Sequence, residues 1–534
     1  MAERPSVKGA IAKQLDPDGL SVISNCLAIR IIAHYPIPHL LVYLAFLNVF
    51  LKNGIISCSK VVHFMGLNMK KLDLGSENTL STVLKLMIPA MLSQLSTVLY
   101  NIIDRIYIGN IPVTGNISLI GAGVCAPITT LCTSFAYWVV LGGAPLFSIS
   151  LGKKNEKDAR RIFSNAMLAL IILSFLVMGI FYACMKPMLF TFGASEESYY
   201  YAKEYIVYYL LGMPFAFLAI GLIQFLMSQG CSGYAMASTI IASIMNIILD
   251  PVFLFGFKLG IKGAAIATSL SWLCSFLLAL FFIIKKTKIK PQFKGYSIKI
   301  IFKMLKYGIS PFIILATDAL IIIVLNASLQ QFGNGQGDFY IECCTIVQAF
   351  FSLVTGPLLG ISSGTQPVLG YLFGARRMDL VKKAEKQITL CGLIFTSVCF
   401  VLSFFVAKPF ASLFLSFSSS VENAADIIEH SVRYIHYYMY PIILLTLQYT
   451  LVDGLTGLGR ADISLWLSLN RKIVLLIPLT ILIPYLTKDA SKAFIAEPIA
   501  DAISATVSTI IFLIVFPKVL KKGEEGSDSI LDSK

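Results

Sequence analysis

Apolar residues in this chain fall into long runs separated by short stretches where Lys, Arg, Gly and Asn collect. A helix needs about 20 apolar residues to cross a bilayer, and these runs reach that length. Polarity does not alternate within them, which argues against barrel strands. Hydrocarbon offers a backbone no water to bond, so each spanning run must close its own hydrogen bonds as a helix. The pattern predicts helices at 82–106, 117–146, 162–185, 203–228, 236–256 and 262–284. After a basic linker at 285–306 it predicts 307–331, 340–372, 387–408, 431–453, 464–486 and 494–517. The fold class is an all-α polytopic membrane protein with twelve transmembrane helices.

The chain also nearly repeats itself. Pro89, Pro145, Gly152, Lys186 and Pro187 lie 222 residues before Pro311, Pro367, Gly374, Lys408 and Pro409. Gln224, Gly230, Gly233, Ala237 and Asn246 lie 224 residues before Gln448, Gly454, Gly457, Ala461 and Asn470. Matches in this order, with so small a drift, argue duplication. A membrane chain of two similar halves is the signature of a secondary transporter. The halves are read as 69–290 and 291–520, six helices each, with a tail at 521–534. Residues 1–68 depart from this plan. Pro36 to Ile56 is apolar enough for an extra span, yet the segment lacks the layout of a signal peptide. Met69 opens MKKLDLG, a natural lead-in to the first helix, so the expected start is Met65 or Met69.

Composition agrees with the pattern. Hydrophobic residues make up 57% of the chain, mean hydropathy is +0.78 and charged residues are 13%, about half the share of roughly 25% usual in soluble domains. The formal net charge of +14 is concentrated in particular loops. Lys153, Lys154, Lys157, Arg160 and Arg161 follow the second helix, lysines crowd 285–306, and Arg376, Arg377, Lys382, Lys383 and Lys386 follow the eighth. In a twelve-span arrangement all of these fall on one side, which makes both ends of the bundle cytoplasmic. The positive charge then reads as topology and contact with anionic lipid, not as nucleic-acid binding. The cysteines are scattered through apolar runs without CxxC, the histidines have no metal-ligand spacing, and there is no phosphate-binding glycine loop.

Acids inside spans are expensive and are functional candidates by default. Asp104 lies in N-I-I-D-R near the end of the first helix, beside Arg105, and Asp250 lies in N-I-I-L-D-P of the fifth. Asn246 is four residues before Asp250, on the same helical face. Pro251 removes a backbone donor and frees a carbonyl nearby. Carboxylate, amide oxygen and free carbonyl suit a hard cation such as Na⁺, and a carboxylate shielded from water could instead carry a proton. If Asp104 shares the pocket, the pair titrates as a unit. Asp318 sits among apolar residues in the first helix of the second half and is a candidate for a cavity wall. Asp453 and Glu342 are expected close to the interfaces.

Five motifs carry a family resemblance: N-x-x-D-x-x-Y-I-G at 101–109, L-G-K-K-N at 151–155, N-I-I-L-D-P at 246–251, G-A-A-I-A-T at 263–268 and G-T-Q-P-V-L-G-Y-x-x-G-A at 364–375. From about residue 69 to 520 the chain resembles a MATE (multidrug and toxic compound extrusion) transporter of the DinF-like, MepA-type branch. The resemblance implies an antiporter exporting xenobiotics in exchange for H⁺ or Na⁺. It also implies an ion site of Asp104, Asn246, Asp250 and Thr268, whereas the NorM branch relies on acids of the carboxy half.

A multidrug cavity needs adaptable apolar walls, aromatic faces and an acid or two. Gln94, Tyr100, Tyr137, Met213, Met245 and Asp318 are candidates for lining it. Expected partners are amphipathic cations and membrane lipid, with no cofactor and a monomeric chain. Two alternatives remain. A lipid-linked sugar flippase of the wider superfamily would favour intramembrane Lys and Arg. A polytopic membrane transferase would need a larger loop beside a catalytic group.

Overall fold

The computed structural model describes residues 72–192, 194–292, 294–416 and 424–525. The candidate extension 1–68 and the candidate starts Met65 and Met69 lie outside the described residues. The first half contains α1 (Thr79–Gly109), α2 (Gly115–Gly152), α3 (Glu156–Ala183), α4 (Glu196–Ser228), α5 (Ser232–Pro251) and α6 (Ile261–Lys286). The second contains α7 (Ile298–Phe332), α8 (Gly337–Gly374), α9 (Met378–Ser416), α10 (Ala424–Met439 and Ile442–Gly457), α11 (Ala461–Leu469, continued by Ile477–Thr487) and α12 (Ala496–Glu525). Side chains close the exposed N–H groups at several helix starts. Asn78 accepts from Ser81 N at the head of α1, and Asn155 from Asp158 N at the head of α3.

Among the described residues, 11 helices are long and apolar enough to cross a membrane. The span expected at 431–453 is the exception, because it is broken. Pro441 has no N–H to give the preceding turn, and its ring crowds the carbonyl four residues back. The span is therefore two helices of 16 residues each. Other helices outrun the apolar pattern. α3, α7 and α9 begin at Glu156, Ile298 and Met378, ahead of the expected 162, 307 and 387. Their first turns put Lys or Arg outside while an apolar stripe packs inward; in α9 that stripe is Val381, Ala384 and Ile388. The basic linker consequently shrinks to 287–297, and α12 continues to Glu525, into the expected tail.

The duplication is visible in the helices themselves. α2 and α8 are both 38 residues long, and their ends stand in the 222-residue register of the repeat. The halves meet through α1 against α8 and α7 against α2, which the repeat interchanges, and through α2 against α8. Glycine permits this closeness. A Cβ at Gly152 would lie 2.0 Å from the Tyr371 carbonyl oxygen, and one at Gly374 would lie 2.2 Å from that of Ile149. These two contacts are images of each other under the repeat. Between α7 and α2, a Cβ at Gly308 would lie 1.8 Å from the Trp138 oxygen. Around this end the basic links are tied down. Ser297 N donates to Asn165, and Arg377 donates to the Gly75 carbonyl and pairs with Glu77.

The crossing yields a prediction. Gly374→Ala should destabilise the protein by about 1–3 kcal/mol, the range for overpacking. Gly123→Ala, in α2 where a Cβ meets nothing within 4 Å, should be neutral or slightly stabilising. Thermal unfolding of both variants in detergent checks this.

Candidate functional site

The amino-half site is built where α1, α5 and α6 converge. Ser232 Oγ donates to the Lys85 carbonyl at 2.7 Å and holds the start of α5 against α1. Further along α5, Asn246 and Asp250 point inward one turn apart. The Asn246 amide donates to Asp250 Oδ1 and to Thr268 Oγ1, each at 3.3 Å. The carboxyl of Asp104 on α1 faces that of Asp250. Asp250 is 0% exposed and Asn246 1%. Arg105 is exposed whereas Asp104 is buried. After Pro251 the helix widens into a π-helical turn, Val252–Gly256, a distortion common at functional sites.

This site is rich in oxygen and poor in donors. Asp104 Oδ1, Asn246 Oδ1 and Asp250 Oδ2 are buried without a hydrogen-bond partner. A buried acceptor left unpaired is costly. The donor set of two carboxylates, an amide oxygen and a hydroxyl fits a small hard cation. It fits equally a proton held between the two carboxyls. The four residues expected to form one site are thus brought together.

A cavity of about 490 Å³ opens beside it, between the halves. Gln94, Tyr100 and Tyr137 line it, as do Asn246 and Thr268. From the second half come Pro311, Ile314, Leu315, Gln366 and Asp453. Met213 is buried in the packing of α4, and neither Met245 on α5 nor Asp318 on α7 is among the lining residues. Trp272 of α6, not among the residues expected from the sequence, lines the wall and packs edge-on against Tyr209 at 4.8 Å.

The second half holds a denser cluster of charge. Lys472 Nζ lies 2.5 Å from Asp318 Oδ1 and 2.6 Å from the Ile314 carbonyl oxygen. Arg471 Nε donates to Asp501 at 2.6 Å, and its guanidinium lies 3.9 Å from Glu497. Both bases sit on a second π-helical turn, Asn470–Leu476, inside α11. The apolar pattern of 464–486 hid them, since two adjacent bases in a span resemble a loop edge. Asp453, expected near an interface, instead stands in the cavity wall beside Ser362 and Gln366, with Oδ2 buried and unpaired. Glu385 was hidden among Lys382, Lys383 and Lys386. It is 4% exposed, and both its carboxylate oxygens are buried without a partner. The spacing of Val381, Ala384 and Ile388 would have placed it on the inward stripe.

Fold and site together define a class: a multi-pass membrane protein of two repeated six-helix halves with a cavity between them. The chain belongs to the MatE family, whose profile matches residues 89–252 and 333–482, a stretch in each half. It is 25% identical over 330 residues to the multidrug export protein MepA of Staphylococcus saprophyticus, covering 61% of this chain and 72% of that one. Against the MepA of Staphylococcus aureus the identity is 25% over 350 residues, covering 64% and 75%. Its fold matches the crystal structure of MATE in complex with MaL6 with a TM-score of 0.78 at 19% identity, covering 85% of this chain and 99% of that one.

The buried ion cluster gives a second prediction. Arg471→Met strands Asp501 and Glu497 and should cost about 3–5 kcal/mol, the range for breaking a buried pair from one side. Arg471→Met with Asp501→Asn should recover part of that loss, read as thermal unfolding midpoints in detergent.

Proposed function

We propose that this chain is a secondary antiporter that exports amphipathic organic cations in exchange for H⁺ or Na⁺, by alternating access between halves 69–290 and 291–520. The observation that carries this reading is the facing pair Asp104 and Asp250, buried and short of donors, behind Asn246 and Thr268, which line a cavity shared by both halves. The similarity to proteins named multidrug export protein supports the same conclusion. The buried cations Arg471 and Lys472 are each held by an acid, which disfavours a flippase for anionic lipid-linked sugars.

In this reading Tyr100 and Tyr137 offer ring faces to a substrate cation, Gln94 a polar contact, and Asp318 an acid nearby. The coupling ion is held by Asp104, Asn246, Asp250 and Thr268. Two carboxylates facing each other in a low dielectric repel unless a cation or proton lies between them. Filling and emptying that site therefore favour different arrangements of α1 against α5. Coupling requires such a difference, because an ion bound equally by both states shifts neither. The concentration of Lys and Arg in loops of one side supports a cytoplasmic position for both ends of the bundle. The protein works as a monomer and needs no organic cofactor.

Accumulation of a fluorescent cationic dye inside inverted vesicles, driven separately by an outward proton or sodium gradient, tests the proposal. Asp250→Asn and Asp104→Asn should each abolish gradient-driven transport in protein that still inserts. Thr268→Ala should be milder, a loss on the order of 1 kcal/mol for one neutral oxygen. Normal transport by both aspartate variants, with coupling lost in Asp318→Asn or Asp453→Asn, would move the ion site to the second half.

A further inference from the structure

Lys472 performs no task in the mechanism above, yet a lysine within a span is expensive. Packing does not demand it either, since well-packed apolar residues often replace a buried ion pair without loss. Its placement beside Asp318 is informative. Pro311, Ile314 and Leu315 of α7 line the cavity. Asp318 follows them at seven, four and three residues, so it lies on the same helical face, one turn beyond the lining itself. Its side chain is 42% exposed, against 8% for Lys472. The carboxylate is thus the accessible partner, with the ammonium behind it.

Two further facts bear on this pair. Lys472 has a second anchor, the Ile314 carbonyl oxygen, which it keeps if the carboxylate turns away. The cluster also carries unequal charge. Asp318, Glu497 and Asp501 are set against Arg471 and Lys472, leaving one negative charge over when all are ionised. The duplication supplies the contrast. Asn246, in the acid site of α5, corresponds to Asn470 of α11, immediately before Arg471 and Lys472. Asn470 opens the π-helical turn of α11, and Asn246 lies six residues before the one that follows α5. Asp104 and Asp250 of one half form no ion pair with a protein cation among the described residues, and the other half supplies its own.

We propose that Lys472 is an internal stand-in for the substrate's positive charge. It holds Asp318 while the cavity is empty. The head group of an organic monocation then takes its place on the exposed carboxylate, while Lys472 falls back on the Ile314 carbonyl and toward Glu497. Lys472 is therefore a specificity-determining residue, because a neutral solute gains nothing by entering and must leave the pair intact. This inference rests on the export of organic cations proposed above.

Binding of ethidium to the purified full chain, followed by fluorescence anisotropy, tests it. Lys472→Met should tighten binding by roughly fivefold or more, the scale of a modest coupling free energy. Asp318→Asn should weaken it by a similar factor. In the double variant the tightening should vanish, because Lys472 acts on the probe through Asp318 alone. Lys472→Gln, which keeps a donor for the Ile314 carbonyl, guards against misfolding and should also tighten binding. A folded Lys472→Met or Lys472→Gln that binds no tighter than wild type overturns the inference, as does tightening that persists with Asp318→Asn. Failure of both lysine variants to fold also overturns it, since the lysine would then be a fixed structural ion. Wild type and all variants failing to bind ethidium would remove the organic-cation reading itself, whereas binding indifferent to residue 472 removes this inference alone.

Discussion

A charge placed in hydrocarbon has to be paired, hydrated or used, and this constraint orders the rest of the molecule. Each buried ionic group accounts for its surroundings. Arg471 brings α12 to α11 through Asp501 and Glu497, and Lys472 brings α11 to α7 through Asp318. Where pairing is incomplete, at Asp104, Asp250, Asp453 and Glu385, the helices keep polar neighbours close. Hydrophobic matching cannot hold such helices together in lipid, whose tails are as apolar as leucine. Close packing and polar contacts do that work.

The two halves answer this constraint differently on one frame. α2 and α8 retain equal length and register, and a π-helical turn follows the matched asparagine of α5 by six residues and starts at that of α11. The charges around that asparagine have diverged. Duplication preserves backbone geometry because every span must still close its own hydrogen bonds. It leaves side-chain chemistry free to specialise wherever the halves share one cavity.

Much of this was legible in the sequence. Apolar runs located the spans, the 222–224 residue offset exposed the duplication, and the four residues Asp104, Asn246, Asp250 and Thr268 were nameable because α5 spacing and the family motifs agree. The rest was hidden for identifiable reasons. Glu385 lay among lysines, and only the stripe of Val381, Ala384 and Ile388 separates it from a solvated loop. Arg471 and Lys472 carry no motif, and their partners lie 30 and 154 residues away. Met213 and Met245 show the opposite error. A soft residue on the right helix says nothing about which way that helix turns, so neither lines the cavity.

The paired glycine crossing of α2 and α8 has a mechanical consequence. Gly152 and Gly374 bring backbone onto backbone, with no side chains interleaved at the point of contact. A knobs-into-holes joint must lift before it can slide. Two bare helix surfaces can roll on one another while their separation stays nearly constant. Because the two contacts are images under the repeat, a small roll of one half is met by the same roll of the other. The crossing therefore behaves as a bearing, a part whose fit is preserved through its motion.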